Sequence, residues 1–342
     1  MKPLPPLRFV PWAREMVWGK RRLHDQLGRT LPNDNTFGES WELSDHPSLE
    51  SKVQDGPWGH EFVGKSLRNL MHECPEAIVG EAKTKIYRNK ATSLGHGERF
   101  PLLVKWLDAS DWLSVQVHPD TLTVQTLFPG EGSKTEAWLI LEADPNSRVW
   151  AGLKPGVGEK ELRNAIASGT SADCLHSFTP KPGQFLFLPA GTVHAVGGGV
   201  LMAEIQQTSD ATFRLFDWNR VDGQGKSRKL HIEESIASIH WDKGPQEPLS
   251  IPGFGYGEDK IDLELVNCPF FRLSYRRDIQ PFNLVGNGLA NVVMVVGGSG
   301  EANYLGRKEV IKLGDTLLMP ASCKNLEIVP KERLELWIGV AY

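Results

Sequence analysis

The chain has 342 residues, 40% hydrophobic and 23% charged, with a formal net charge of -4, which is ordinary globular composition and argues against a nucleic-acid or membrane-surface partner. Its 34 glycines and 23 prolines supply many turns, as a mainly β architecture needs. Cys74, Cys174, Cys268 and Cys323 form no C-x-x-C pair, the N-terminus has no signal-peptide core, and no window reaches the roughly 20 apolar residues of a membrane span, so a cytoplasmic chain with free thiols is expected.

Residues 1–58 are punctuated by proline and glycine. Within them Gly38 to Asp45 alternates polar and apolar, the pattern of a half-buried strand. Residues 59–98 have loose helical spacing at Phe62-Val63, Leu67, Leu70-Met71 and Ile78-Val79, which predicts short helices, with a polar loop from Thr92 to Arg99. Strands are predicted at Phe100–Leu107, Trp112–Val117, Ala137–Leu141 and Val149–Leu153, with a loop from Thr121 to Ser133. Glu159–Ala167 reads as a helix, with Gly169 where a C-terminal cap belongs. Next comes the stretch that carries most information: an apolar run Phe185–Leu188, the turn Pro189-Ala190-Gly191, then His194. A second apolar run, Val200–Ile205, holds Glu204, an acid that is costly there unless paired or bonded to a metal. His231–His240 reads as an amphipathic helix. Residues 242–258 are rich in proline and glycine and read as a linker to a second unit, 259–342, again a string of strands.

That second unit contains an echo of the first. Gly183-x5-Pro189-x-Gly191-x2-His194 returns as Gly314-x5-Pro320-x-Ser322-x2-Asn325. A duplicated β unit in which only the first copy keeps its His is the favoured reading.

The chemistry gathers in the first copy. Gln116 and His118 are two apart in a strand and share a face. Glu136 starts the next strand, and His194 follows the turn. Taken singly, each has an ordinary structural explanation. Together, with Lys134 beside Glu136 and Arg214 downstream, they make a divalent-metal site of N and O donors, suited to zinc or to ferrous iron.

Ser114-Val115-Gln116-Val117-His118-Pro119-Asp120, Lys134-Thr135-Glu136, Pro189 to Ala195, Glu204 to Arg214 and Gly38 to Glu42 together resemble the type I mannose-6-phosphate isomerases, in their short bacterial branch. The resemblance covers roughly residues 7–240. It implies a double cupin, two jelly-roll barrels, with a catalytic unit at 1–241 and a degenerate metal-free unit at 259–342. It also implies one Zn2+ on Gln116, His118, Glu136 and His194, with Arg214 as the catalytic arginine.

The implied reaction interconverts mannose 6-phosphate and fructose 6-phosphate. It moves a proton between C1 and C2 through an enediolate, whose charge needs fixed cations. Arg214 and Lys134 supply that field. Glu204 is the preferred proton carrier, with Asp210, a bridging water or a zinc-bound hydroxide as alternatives. By family position Arg220, Lys105 and Ser114 face the substrate phosphate, while Trp18, Glu39 and Asp210 shape the sugar pocket. A monomer or homodimer is expected. An Fe2+ dioxygenase on the same three ligands, or a non-catalytic sugar-phosphate binder, are the alternatives. The second unit is expected to cover an open edge of the first barrel.

Overall fold

The computed structural model describes residues 3–90, 99–221 and 225–342. It is mainly β, made of several antiparallel sheets, as the turn spacing predicts. In chain order the first strands are β1 (Trp12–Lys20), β2 (Phe37–Leu43), β3 (Leu102–Ala109), β4 (Val115–Val117) and β5 (Glu136–Ala143). They are followed by β6 (Arg148–Leu153), β7 (Leu175–Phe178), β8 (Gln184–Leu188), β9 (His194–Gly197), β10 (Val200–Gln207) and β11 (Phe213–Phe216). After residue 259 come β12 (Ile261–Asn267), β13 (Phe271–Asp278), β14 (Phe282–Val285), β15 (Asn291–Tyr304), β16 (Arg307–Lys312), β17 (Thr316–Met319) and β18 (Asn325–Ala341).

The first large sheet runs β1-β2-β3-β10-β5-β8 and ends on a short strand, Leu249–Ser250. Facing it is a second sheet, β11-β4-β9-β6-β7. A third sheet is made wholly of strands after residue 259, in the order β12-β13-β18-β15-β16, with β14 on β18 and β17 on β15. The order β2-β3-β10-β5-β8 is therefore repeated as β12-β13-β18-β15-β17.

Register repeats as well. Leu188 lies opposite Glu136 in the first sheet, and Met319, at the same place in the echo, lies opposite Asn291 in the third. Glu204 lies opposite Lys105, and Ile338 opposite Ser274. The two turns match too. Gly183 and Gly314 both have positive φ, 80° and 96°, a backbone state open to glycine. Thr192 N–H bonds Pro189 O at 3.1 Å, and Cys323 N–H bonds Pro320 O at 2.8 Å.

One part of the echo is displaced. His194 is buried and points into the first unit, but Asn325 is exposed and bonds Asn283. The next residue, Leu326, takes the inward place in the second apolar core. A slip of one residue reverses every side chain of a strand, so alignment of the motifs does not give alignment of the faces.

The first and third sheets pack back to back. Trp106, Leu139 and Ile205 from one meet Leu273, Tyr275 and Trp337 from the other in a single core. The second unit thus covers a whole sheet face of the first, not an open edge. That contact explains why β2 is buried on both sides where its alternation predicts one wet face. Behind β2, Ser40 donates to Glu42, and Arg29 pairs with Glu42 at 2.7 Å while donating to Gly314 O. The segment between the units is also held. Arg277 is fully buried, pairs with Glu335 at 3.1 Å, and donates to the carbonyls of Gly253, Tyr256 and Glu258. A guanidinium buried this deeply must be saturated with acceptors.

Helices Leu67–Glu73, Pro75–Val79 and Glu81–Lys90 occupy the predicted helical segment as far as residue 90; residues 91–98, with most of the predicted loop, lie outside the described residues. The helix Glu159–Ala167 ends as read, with Gly169 at φ 72° just past it. The helix predicted at His231–His240 is shorter, Ile232–Ser238. Thr121–Ser133 is not all loop, because Thr121–Leu127 is a helix whose N-cap is Asp120, accepting from Thr123 N–H at 2.8 Å. Asp120, just before the predicted loop, is therefore a helix start.

Candidate functional site

The turn after β8 delivers His194 to the start of β9, and the strand pairing sets Gln116 directly opposite it. His118 follows the end of β4, and Glu136 opens β5. The three potential ligands, His118, Glu136 and His194, are 2%, 0% and 1% exposed. One donor atom from each lies within 4.8 Å of the others.

Both imidazoles are oriented from behind. His118 Nδ1 is 2.8 Å from Ala211 O, and His194 Nδ1 is 2.9 Å from Thr192 O. A carbonyl only accepts, so each Nδ1 carries the proton and each Nε2 is left as a lone-pair donor. Those two Nε2 atoms face Glu136, at 3.3 Å from Oε2 and 3.2 Å from Oε1. Among the described residues neither carboxylate oxygen accepts a well-directed hydrogen bond, although the Lys134 ammonium stands 2.9 Å from Oε2. A buried carboxylate left this way, facing two imidazole lone pairs, fits a divalent cation.

The electrostatics agree. Burial alone would raise Glu136, but the Lys134 ammonium leads the neighbours that hold the carboxyl well below its usual range. Burial, then Lys134, depresses His118 to about 3, so its imidazole stays neutral and free to coordinate. Gln116 adds an amide whose Nε2 is 3.3 Å from His194 Nε2 and whose Oε1 accepts from Ser114 Oγ at 3.3 Å. A half-turn of that amide would put its oxygen toward the cluster.

Gln116 and Lys134, which touch this cluster, line a cavity of about 260 Å3. One wall is acidic. Glu204 Oε1 accepts from Trp138 Nε1 at 3.0 Å, and its other oxygen lies 3.2 Å from Lys105 Nζ. Burial raises Glu204 above its ordinary value despite that lysine. Lys105, 3% exposed, also reaches Glu39 at 3.7 Å. Burial would lower Lys105, but Glu204, Glu39, Asp210 and Glu136 together hold it above the usual ammonium range. Trp41 Nε1 fixes Glu39 at 2.6 Å. Arg14, which sequence reasoning did not single out, lies across the mouth at 3.4 Å from both Glu39 and Asp210. Asp210 is lowered: burial opposes, and Lys105, Arg14, Lys134 and His46 prevail. Trp18 closes one side, and a Cβ at Gly38 would meet its ring at 2.4 Å, so this wall needs glycine there.

The opposite end is cationic. Arg214 and Arg228 both line the cavity, near Ser114. Burial, then the charges of Arg228 and Arg220, lowers Arg214, a sign of crowded guanidiniums. Asp217 holds Arg228 through two bonds, at 2.7 and 2.5 Å.

The structure therefore brings Trp18, Glu39, Lys105, Ser114, Gln116, Lys134, Glu204, Asp210 and Arg214 to one cavity, against the His118–Glu136–His194 cluster. Arg220 stands apart from the lining, paired with Asp217 at 2.8 Å and Asp111 at 3.6 Å. Arg228 was missed by sequence reasoning. Its only signal was a charged stretch, Asp217 to Arg228, with no periodicity to say which guanidinium faces in.

A mainly β chain with a buried imidazole–carboxylate–imidazole cluster against a charged cavity is a candidate metal-dependent enzyme. Comparison narrows the class. The family profile "Phosphomannose isomerase type I, catalytic domain" matches residues 7–136. The mannose-6-phosphate isomerase of Streptococcus mutans is 33% identical over 323 residues, covering 94% of each chain. Mannose-6-phosphate isomerase ManA of Bacillus subtilis is 33% identical over 321 residues, covering 92% of this chain and 93% of its own. The crystal structure of the mannose 6-phosphate isomerase from Bacillus subtilis superposes with a TM-score of 0.81 at 28% identity, covering 98% and 99% of the two chains. The chain belongs to the type I phosphomannose isomerase family.

Proposed function

We propose that this chain interconverts mannose 6-phosphate and fructose 6-phosphate with one zinc ion held by His118, Glu136, His194 and Gln116. The observation that carries the reading is a single cavity lined by a buried carboxylate and two arginines and joined through Gln116 and Lys134 to a buried metal-type cluster. When bound, zinc would act as a Lewis acid toward the sugar oxygens at C1 and C2.

The chain's own residues do the rest. Glu204 takes the proton from C2 and returns it at C1, while a hydroxyl proton passes from O2 to O1. Its raised pKa brings it closer to working pH than an ordinary carboxylate, and the Lys105 ion pair and Trp138 donor hold it in place. Asp210, lowered and at the mouth, is the weaker base and the better partner for sugar hydroxyls. Arg214 and Lys134 face the charge that develops on the enediolate, and an arginine cannot lose its proton while doing so. The phosphate is assigned to Arg228 with Ser114, because these line the cationic end while Lys105 is committed to two carboxylates. In this reading residues 1–241 form the catalytic unit and 259–342 a degenerate copy.

A coupled assay for fructose 6-phosphate formed from mannose 6-phosphate tests the proposal. Turnover that a strong chelator abolishes and zinc restores is expected. Absence of turnover in protein carrying its zinc would refute the substrate.

A further inference from the structure

The second unit keeps a cavity at the place where the first unit has its active site. Matching register puts Asn291 at the position of Glu136, Ser274 at that of Lys105, Ile338 at that of Glu204, and Asp262 at that of Glu39. All four of these residues line one cavity of about 160 Å3. Asn291 stands where Glu136 does, and Leu326 fills the inward place that His194 holds in the first unit. The imidazole–carboxylate–imidazole donor set of the first unit is therefore not repeated here.

The cavity has not filled in with apolar side chains, and one of its two arginine side chains is unpaired among the described residues. Val293, Met319 and Ile338 form an apolar floor. Above it Arg272, Ser274 and Arg276 project from alternate positions of β13, on one face. Arg276 lies 3.3 Å from Asp278 and 3.8 Å from Asp262, and its guanidinium covers the Phe282 ring at 3.9 Å. Its buried Nε has no acceptor among the described residues. The Arg272 side chain has no hydrogen-bond or ion-pair partner among the described residues, yet the residue is only partly exposed. Asn291, 8% exposed, spends one amide hydrogen on Leu289 O at 2.9 Å.

An unpaired guanidinium beside a hydroxyl and an amide, over an apolar floor, is the arrangement that receives an oxyanion on a short organic body. We propose that this cavity is a metal-free binding site for a small organic oxyanion, a phosphate or carboxylate on a body of about three carbons, gripped by Arg272 with Ser274 and Asn291. Its volume, about 160 Å3 against about 260 Å3 in the first unit, calls for a ligand smaller than a hexose phosphate. The inference stands apart from the isomerase reading, since it uses none of the catalytic residues.

The test is titration of the full-length zinc-loaded chain, 15N-labelled in its arginines, with glycerol 3-phosphate, lactate and inorganic phosphate in separate arms. The Nε–H resonances of Arg272 and Arg276 should shift saturably with an organic anion, at a midpoint on the order of 1 mM. Whichever of the two organic arms responds identifies the head group. In Arg272→Gln the midpoint read at Arg276 should rise about tenfold or more, with mannose 6-phosphate turnover unchanged, and Arg272→Lys should recover part of the loss. Should Arg272→Gln fail to fold, Ser274→Ala carries the same comparison, with about a threefold loss. No saturable shift up to roughly 20 mM, a shift with inorganic phosphate alone, or a midpoint indifferent to these substitutions would overturn the proposal.

Discussion

The two copies of the five-strand sheet share order and register, yet only one is chemically equipped. At matching positions the first carries Glu136, Glu204 and Lys105, and the second carries Asn291, Ile338 and Ser274. The scaffold features, a glycine of positive φ and a proline closing the turn, survive in both. Backbone geometry is thus separable from reactivity within one motif, and the reactive residues are those whose burial would be costly without a ligand or a charge partner.

That contrast is broken most sharply at the two turns. His194→Ala should lower kcat by roughly 10^3-fold or more and release the metal, whereas Asn325→Ala, altering an exposed side chain, should leave turnover and metal content unchanged. Steady-state kinetics with metal analysis of both variants reads the difference. Glu204→Gln should cost about 10^2- to 10^4-fold in kcat with metal retained, which separates proton transfer from coordination. If the variant keeps its full rate, Glu204 is not the carrier. The sheet contact between the copies comes next. Trp337→Ala empties a fully buried place in the shared core and should cost about 3–5 kcal/mol of stability in urea unfolding. Least in energy is the phosphate grip. Arg228→Gln should raise KM for mannose 6-phosphate roughly tenfold, about 1.4 kcal/mol, and Arg220→Gln distinctly less, because Arg220 stands outside the cavity lining. Equal effects would return Arg220 to the phosphate.

The parts of this site that can be read from sequence are those set by local chain geometry. A Gly–strand–Pro–turn unit places His194 at a strand start, and a two-residue spacing keeps Gln116 beside His118 whatever the tertiary fold does. Glu204 is suspect because an acid in an apolar strand needs a partner. The partner itself is not legible: Lys105 meets it only through pairing of β3 with β10, a register that nothing local in either segment sets. Arg228 is hidden for a related reason, lying in an irregular stretch where no periodicity assigns a direction. The same gap explains Asn325, where the motif aligns but a one-residue slip turns the side chain outward. The alternation of β2 misleads because its polar face is buried under the second unit, with Ser40, Glu42 and Arg29 satisfying one another.

The asymmetry between the copies is tested most directly by the metal content of the purified full-length chain, measured by elemental analysis alongside activity. One zinc per chain is predicted, lost with activity in His194→Ala and untouched in Asn325→Ala. Two equivalents per chain, none in active protein, or one that survives His194→Ala with turnover intact would contradict the account.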